Sequence, residues 1–123
     1  MTILQAIERM DGLIHNTYSQ EEKVRWLSLV DASVKEQLID THEDPQECQF
    51  EGYGPGTSLD TVLLVPEPYS DLYVRWLEAQ IHYYNGEYGK YNAALSMYNA
   101  AFGAYVNHYN RNHMPKGQQF RYF

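Results

Sequence analysis

The stretch from Tyr84 to Arg111 reads YNGEYGK, YNAALSM, YNAAFGA and YVNHYNR when it is written in groups of seven. A tyrosine opens every group, and a second large side chain follows four positions later. This alternation of four and three residues places all of these side chains on one face of an α-helix. The eight positions are Tyr84, Tyr88, Tyr91, Leu95, Tyr98, Phe102, Tyr105 and Tyr109.

Small residues occupy the other side of the predicted helix. They would let the backbone of another helix come close, as thin helix faces do. A helix from residue 84 to 111 would be roughly 42 Å long at about 1.5 Å per residue. That length exceeds what so small a domain needs to cover its own core, so we expect part of the helix to pack on another chain. The small residues are Ala93, Ala94, Ala100, Ala101, Gly103 and Ala104.

Composition excludes several classes of protein. The chain has 123 residues, a net charge of −7 and one cysteine, Cys48, a size typical of one domain with its own core. One cysteine forms no internal disulfide and leaves no cysteine pair for a zinc site. No apolar run reaches the ~18 residues of a membrane span, and the first residues do not resemble a signal peptide. We therefore expect a protein that is made and kept inside a cell.

Charge is distributed unevenly along the chain. Residues 1–70 carry thirteen acidic and four basic side chains, whereas residues 111–123 carry three basic and no acidic ones. The acidic balance disfavours nucleic-acid binding as the main task, because phosphate affinity comes from lysine and arginine. Opposite charge at the two ends suits head-to-tail packing of identical subunits, although a solvated surface with a basic tail accounts for it equally well.

Two amphipathic helices are predicted before residue 43. The first is capped by Thr2, carries apolar residues at Ile3, Ile7, Met10 and Ile14, and ends near Asp11 because of Gly12. The second starts after Ser19 with a capping box and ends between residues 40 and 43. It buries an apolar stripe that has Val24 and Trp26 at its edge, and its Lys23 side chain is predicted to face water. Its buried stripe consists of Leu27, Val30, Val34 and Leu38.

Residues 43–68 interrupt the helical pattern with prolines and glycines. Residues 49–51 form either a short strand or an extended arm, and residues 61–65 either pair with them as a β-hairpin or cover the core. A third helix then starts at Ser70 as its N-cap. The predicted fold is a single all-α domain over residues 1–123, a small helical bundle with a long loop at 43–68 and a C-terminal tail at 113–123.

The dipeptide Asn85-Gly86 leaves the end of the third helix open. Asn-Gly favours a tight turn that would separate two helices. The spacing of large residues nevertheless continues without a break across this point, at Leu77, Ile81, Tyr84, Tyr88 and Tyr91. We therefore predict one long C-terminal helix, with a helix pair broken at Asn85-Gly86 as the alternative.

Catalytic and metal-binding motifs are weak in this sequence. The neighbouring residues His42, Glu43 and Asp44 are better explained by a helix terminus than by a metal site, since adjacent side chains rarely reach one ion. Glu78 and His82 lie one helical turn apart, and with His108 they define the alternative of a small metalloenzyme. We predict a protein that is not an enzyme and has no catalytic, cofactor-binding or metal-binding residue.

Three segments, and the heptads between the second and the third, resemble a known family. Residues 64–73 read LVPEPYSDLY, residues 75–81 read RWLEAQI, and residues 113–117 read HMPKG. Together they are similar to the head–tail connector proteins (adaptor or head-completion proteins) of tailed bacteriophages and prophages. The resemblance covers nearly the whole chain but includes no chemical signature.

The resemblance implies a structural protein of virion assembly. Connectors form a ring between the portal and the tail components, so the expected partners are further copies of the chain, the portal protein and the next neck or tail protein, with DNA passing only as cargo. The expected locations are the virion neck and, during assembly, the cytoplasm of the bacterial host. By analogy, residues 105–123 would face the portal, and the loop at 45–66 would face neighbouring subunits or the channel.

The aromatic face has two interpretations: it belongs to the core, or it contacts other subunits. We predict a mixture, with one end in the core and the other in an interface. The alternative function is a generic dimeric helical-bundle interaction module. The predicted interface residues are Tyr88, Tyr91, Tyr98, Phe102, Tyr105, Tyr109, Arg111, Phe120, Arg121 and Tyr122.

Overall fold

The computed structural model describes residues 1–39 and 50–112 of the chain. Within these ranges the fold is all-α, with four α-helices and no β-strand. The buried apolar side chains of the four helices form one core. None of the helices in the described ranges combines the length and the apolar character needed to cross a membrane. The helices are α1 (Ile3–Leu13), α2 (Gln20–Val34), α3 (Asp71–Tyr84) and α4 (Tyr88–Asn112).

Helix α1 begins at the predicted cap. The Thr2 hydroxyl accepts a hydrogen bond from the Gln5 amide, and the Gln5 side chain accepts one from the Thr2 amide, which completes a capping box. The helix continues through Gly12 to Leu13, two residues beyond the predicted end. Three predicted core positions, Ile3, Ile7 and Met10, are buried.

Helix α2 buries the predicted apolar stripe and two polar side chains that the prediction missed. The predicted stripe is fully buried, and Trp26 is buried as well instead of lying at its edge. Lys23 was wrongly predicted to face water: its side chain is 6% exposed, and its Nζ lies 2.8 Å from the Asp11 carboxylate of α1. Asp31 is completely buried. Both residues lie one helical turn from Leu27, on the buried face of the helix.

The C-terminal continuation of α2 is a π-helix over Lys35–Ile39. Leu38 and Ile39 are buried there, so the π-helix still contributes side chains to the core. The predicted end of α2 between residues 40 and 43, the His42-Glu43-Asp44 cluster and Cys48 all lie outside the described residues.

The loop before α3 pairs with the N-terminus of the chain. The Ile3 amide donates to the Thr61 carbonyl at 3.0 Å, and the Leu63 amide donates to the Met1 carbonyl at 2.9 Å. Thr2 and Val62 form an isolated antiparallel bridge. The alternative in which residues 61–65 cover the core is therefore correct for Leu63 and Val65, which are buried.

Ser70 does not cap α3 with its side chain, contrary to the prediction. Its backbone has helical dihedral angles, φ −67° and ψ −13°, and its hydroxyl makes no capping hydrogen bond. Because an N-cap normally has extended dihedral angles, the chain is already turning at this residue. Ser70 is fully buried.

A single carboxylate joins α2, α3 and the loop between them. Asp31 Oδ2 accepts hydrogen bonds from the Tyr53 hydroxyl at 2.5 Å and the Leu64 amide at 3.1 Å. Asp31 Oδ1 accepts from the Tyr73 hydroxyl of α3 at 2.5 Å. The Tyr73 oxygen in turn accepts from the Val65 amide at 2.7 Å. The Leu64 amide is therefore paired with Asp31 of α2, and the next amide, that of Val65, is paired with Tyr73 of α3.

The chain turns sharply between α3 and α4, so one continuous helix is wrong and the alternative of a helix pair broken at Asn85-Gly86 is correct. Gly86 has a φ of +77°, its amide donates to the Tyr83 carbonyl, and the Glu87 amide donates to the His82 carbonyl. These two bonds around a left-handed glycine define a Schellman motif, which ends a helix. The Glu87 carbonyl then accepts from the Tyr91 amide and starts α4.

Helices α3 and α4 form an antiparallel hairpin. Ring contacts pair Tyr83 with Tyr91 near the turn and Trp76 with Tyr98 further along, with centroids 5.1 and 4.9 Å apart. Beyond the start of α3, Tyr69 packs against Tyr105 at 5.7 Å. Helix α4, with 25 residues, outruns the 14 residues of α3, so its C-terminal part packs on the loop.

Replacement of Asp31 by alanine tests the role of this carboxylate in the fold. Asp31→Ala leaves three donors without their acceptor, so we expect a loss of at least about 3 kcal/mol of unfolding free energy at about 1 kcal/mol or more each. Chemical denaturation measures this loss. The control is Asp60→Ala at an exposed loop position, which should stay within about 0.5 kcal/mol of the wild type. Equal losses in the two variants would contradict the role assigned to Asp31.

Two glycine-to-alanine changes test the turn between α3 and α4. Gly86→Ala forces a side chain into a left-handed conformation and should destabilise the protein by roughly 1–2 kcal/mol. Gly103→Ala, inside α4 with no atom within 4 Å of the new Cβ, should stabilise it by about 0.5–1 kcal/mol. Thermal unfolding of both variants measures these two changes in stability. A gain in stability from Gly86→Ala would mean that residues 85–87 continue the helix.

Candidate assembly surface

The turn between α3 and α4 presents a cluster of three exposed tyrosines and one partly buried one, which we name the tyrosine patch: Tyr83, Tyr84 and Tyr88, with Tyr91 partly buried. Tyr83 lies at its centre, with ring centroids 5.2 Å from Tyr84, 6.0 Å from Tyr88 and 5.1 Å from Tyr91. Tyr83, Tyr84 and Tyr88 are 45%, 51% and 61% exposed. The sharp turn brings these rings together because it folds the start of α4 back beside the end of α3.

The core holds the patch in place from below. Tyr84 stacks on the buried ring of Trp26, with centroids 5.6 Å apart and ring planes 10° apart. Tyr18 packs edge-on against the same Trp26 ring at 5.6 Å, and its hydroxyl donates to Asn85 Oδ1 at 2.6 Å. Aromatic pairs of this kind add roughly 0.5–1.5 kcal/mol beyond simple burial. The patch is therefore presented by a rigid base.

Charged side chains at the rim of the patch are paired with one another. Glu87 contacts His82 Nδ1 at 3.0 Å and Lys90 Nζ at 3.3 Å. The hydrogen bond from His82, followed by those from Asn85 and Lys90, lowers the pKa of Glu87. On α2, Arg25 contacts Glu22 at 2.6 Å. These groups neutralise each other, so a partner on the patch would meet little net charge.

Three of the predicted interface residues are buried inside the chain, which corrects that part of the prediction. Tyr98, Tyr105 and Tyr109 are 9%, 4% and 4% exposed and belong to the core. Burial, followed by the charge of Asp31, raises the pKa of Tyr98 to about 12. Burial also raises the pKa of Tyr105 to about 12. These rings are covered by α3 and by the loop around Tyr69, so they offer no surface to a partner.

The remaining predicted interface residues fall into three groups. Tyr88 and Arg111 are exposed, whereas Tyr91 and Phe102 are partly buried. Phe120, Arg121 and Tyr122 lie outside the described residues. The sequence analysis missed Tyr83, the centre of the patch, although a Tyr-Tyr pair directly before Asn-Gly is a signal for aromatic side chains beside a turn.

The three residues of the metalloenzyme alternative do not come together. His82 contacts Glu87 at the turn, and Glu78 lies 4.0 Å from Arg75. His108 packs against Tyr69, with ring centroids 4.7 Å apart. It lies about 30 Å along α4 from Tyr88 at the start of this helix, if each residue rises about 1.5 Å. Over residues 1–39 and 50–112 no group of three histidine, cysteine or carboxylate side chains is placed to hold a metal ion.

Alanine substitutions of two tyrosines test the division between patch and core. Tyr105→Ala removes a buried ring and should cost about 3–5 kcal/mol of unfolding free energy. Tyr88→Ala removes an exposed ring and should change this free energy by no more than about 0.5 kcal/mol. Urea denaturation measures both. A large loss from Tyr88→Ala would place that ring in the core and remove it from the surface.

Comparison with known proteins assigns no relative to the chain: no family model matches its sequence, and neither a curated protein nor a solved structure gives a match.

Proposed function

We propose that this protein is a structural subunit of virion assembly, a head–tail connector of a tailed bacteriophage or prophage. In this role it forms a ring of identical copies that binds the portal protein on one side and the next neck or tail protein on the other. DNA passes through the ring as cargo, and the role is not catalytic. The proposal starts from the sequence resemblance and is supported by the surface of the molecule.

The tyrosine patch is the observation that carries the proposal. Three tyrosines about half exposed leave roughly 300 Å² of aromatic surface in contact with water, since a tyrosine ring buries about 200 Å². Contiguous apolar patches of a few hundred Å² on a monomer often mark a binding site for another protein. Tyrosine is also enriched at protein interfaces because it combines a large ring with a hydroxyl group. A contact with another protein therefore explains why these rings face outward.

The outer face of α4 supports the same conclusion. Between Lys90 and Arg111 the helix carries no lysine, arginine, aspartate or glutamate, although exposed helix faces are usually charged. Ala93, Ala100 and Ala104 are exposed there, together with Met97, which is 51% exposed. Burying such a face in an assembly would desolvate no charged side chain.

Patch size predicts how the subunit behaves alone. A stable interface buries about 800 Å² on each partner, which is more than twice the exposed area of the patch. One contact through the patch is therefore too weak to hold a dimer. A ring on a portal makes several contacts at once, and such multivalency raises the overall affinity without any new kind of contact. We therefore expect a monomer in dilute solution and an oligomer on the portal.

The alternative function, a generic dimeric helical-bundle module, uses the same patch differently. Two copies would bury the patch against each other around a twofold axis, so each tyrosine would face its own counterpart. Such a module would form a dimer on its own and would ignore the portal. Stoichiometry therefore separates the two functions.

Light scattering of the protein with purified portal protein of the same phage tests the proposal. We expect a complex that contains many copies of the subunit per portal ring. Tyr83→Ser combined with Tyr88→Ser should weaken its formation at least about tenfold, the equivalent of about 1.4 kcal/mol. The control is Leu29→Ser, which removes a side chain that is 49% exposed on α2 and should leave binding unchanged.

One result would contradict the proposed function, and another would contradict only the assignment of its interface. A stable dimer that does not bind the portal would favour the interaction module. A portal complex that tolerates the double tyrosine change but not Leu29→Ser would keep the connector function and move its interface from the tyrosine patch to α2.

A further inference from the structure

Asn85 and Gly86 belong to the short connection between α3 and α4, and both residues are exposed. An asparagine that is followed by glycine is the pair most prone to deamidation in proteins, because the missing glycine side chain leaves the next backbone nitrogen open to reaction. This nitrogen attacks the side-chain amide carbon of the asparagine. The turn therefore contains a possible modification site, and its geometry decides whether the site reacts.

Deamidation of this pair would consist of a cyclisation followed by a hydrolysis. In the cyclisation, the Gly86 nitrogen forms a bond to Asn85 Cγ and loses its proton, the bond from Cγ to Nδ2 breaks, and ammonia leaves. The product is a cyclic succinimide. Water then opens the ring at either of its carbonyl groups and gives aspartate or isoaspartate. Water is the only co-reactant of the whole sequence.

The backbone of the folded turn opposes the cyclisation. Asn85 has helical dihedral angles, φ −80° and ψ −5°, whereas ring closure requires a ψ that turns the next nitrogen toward the side chain. The Gly86 amide also donates to the Tyr83 carbonyl at 3.1 Å, so its hydrogen is engaged. Reacting atoms must first reach a near-attack geometry, and the folded turn keeps these two atoms away from it.

The side chain of Asn85 is held at both of its polar atoms. The Tyr18 hydroxyl donates to Asn85 Oδ1 at 2.6 Å, and Asn85 Nδ2 donates to Glu87 Oε1 at 3.4 Å. Tyr18 is itself held by its edge-on contact with the buried Trp26 ring, with centroids 5.6 Å apart. Rotation of the Asn85 side chain toward the Gly86 nitrogen therefore breaks a contact with a part of the chain 67 residues away.

The hydrogen bond from Tyr18 has two opposite effects on the reaction. A donor on Oδ1 draws electron density from Cγ and favours attack, as a donor in an oxyanion hole does. The same bond holds Asn85 in a geometry from which attack cannot begin. Geometry decides between the two effects, because polarisation of Cγ does not help until the Gly86 nitrogen can reach this atom.

We propose that Asn85 is a deamidation site that the folded turn keeps unreactive, with Tyr18 as the positioning residue. The site reacts when the turn opens locally. An aspartate at this position would place a carboxylate where Nδ2 now faces Glu87, and neighbouring like charges disfavour each other. Each deamidated copy would also gain a negative charge at the rim of the tyrosine patch. This inference does not depend on the proposed function.

Mass spectrometry of peptides from the purified chain, after incubation at mildly alkaline pH, tests the proposal. Deamidation of Asn85 should be at least about tenfold slower in the native protein than in the same chain unfolded in guanidinium chloride, the equivalent of about 1.4 kcal/mol of opening free energy. Asn92, which is followed by alanine, is the internal reference and should react more slowly than Asn85 in the unfolded chain. Equal rates at Asn85 in the two states, or no reaction in the unfolded chain, would overturn the proposal.

Three variants assign the protection to its residues. Tyr18→Phe removes the hydroxyl and keeps the ring, so Asn85 in the folded protein should deamidate about fivefold faster, as expected for the loss of one hydrogen bond of about 1 kcal/mol. Tyr88→Phe, at an exposed ring of the same patch, should leave the rate unchanged. Leu72→Val trims a buried side chain at the opposite end of α3. It lowers the global stability and should also leave the rate unchanged.

Two results with these variants would refute the proposal. If deamidation in Tyr18→Phe is as slow as in the wild type or slower, the hydroxyl does not protect Asn85. If Leu72→Val accelerates the reaction as much as Tyr18→Phe does, the reaction follows global unfolding and not local opening of the turn.

Discussion

Asp31 accepts hydrogen bonds from three places that lie 22, 33 and 42 residues away along the chain. A carboxylate in the core is costly unless its oxygen atoms are satisfied, and here Tyr53 and Leu64 of the loop before α3 and Tyr73 of α3 provide the donors. The same three donors need that carboxylate, because two hydroxyl groups and an amide would otherwise be left in or near the core. The relative positions of α2, α3 and the loop between them depend on this mutual requirement.

Sequence patterns predicted the parts of the fold that follow from local chemistry. Thr2 and Ser19 were identified as caps, and both hydroxyls accept hydrogen bonds from the first helical turn. The spacing of Tyr98, Tyr105 and Tyr109 placed them on one face of α4, but it did not show that this face lies in the core and not at an interface, where they had been predicted. Asp31 was missed, since spacing marks it as buried but does not reveal donors more than twenty residues away. The break at Gly86 was predicted only as the alternative, because the spacing of large residues continues across it, although the exposed Tyr84 and Tyr88 do not belong to the core.

The candidate surface was predicted only in part, for a related reason. Spacing shows which tyrosines share a helix face, but burial depends on what packs against that face. Tyr69 covers Tyr105, and Trp76 covers Tyr98. Tyr88 precedes the stretch of α4 that α3 covers, so its ring remains exposed. The exposed start of α4 at the turn can therefore be told apart from the part of α4 in the core only when the structure of the hairpin is known.

The three-residue connection at Gly86 also has a consequence for the order of folding. Contacts between α3 and α4 close short loops, which cost little chain entropy, and helical hairpins with such local contacts form quickly. The bonds to Asp31 close loops of 22 to 42 residues, so they cost more chain entropy and come together later. We therefore expect the tyrosine patch at the turn to form early in folding and residues 50–57 to dock late.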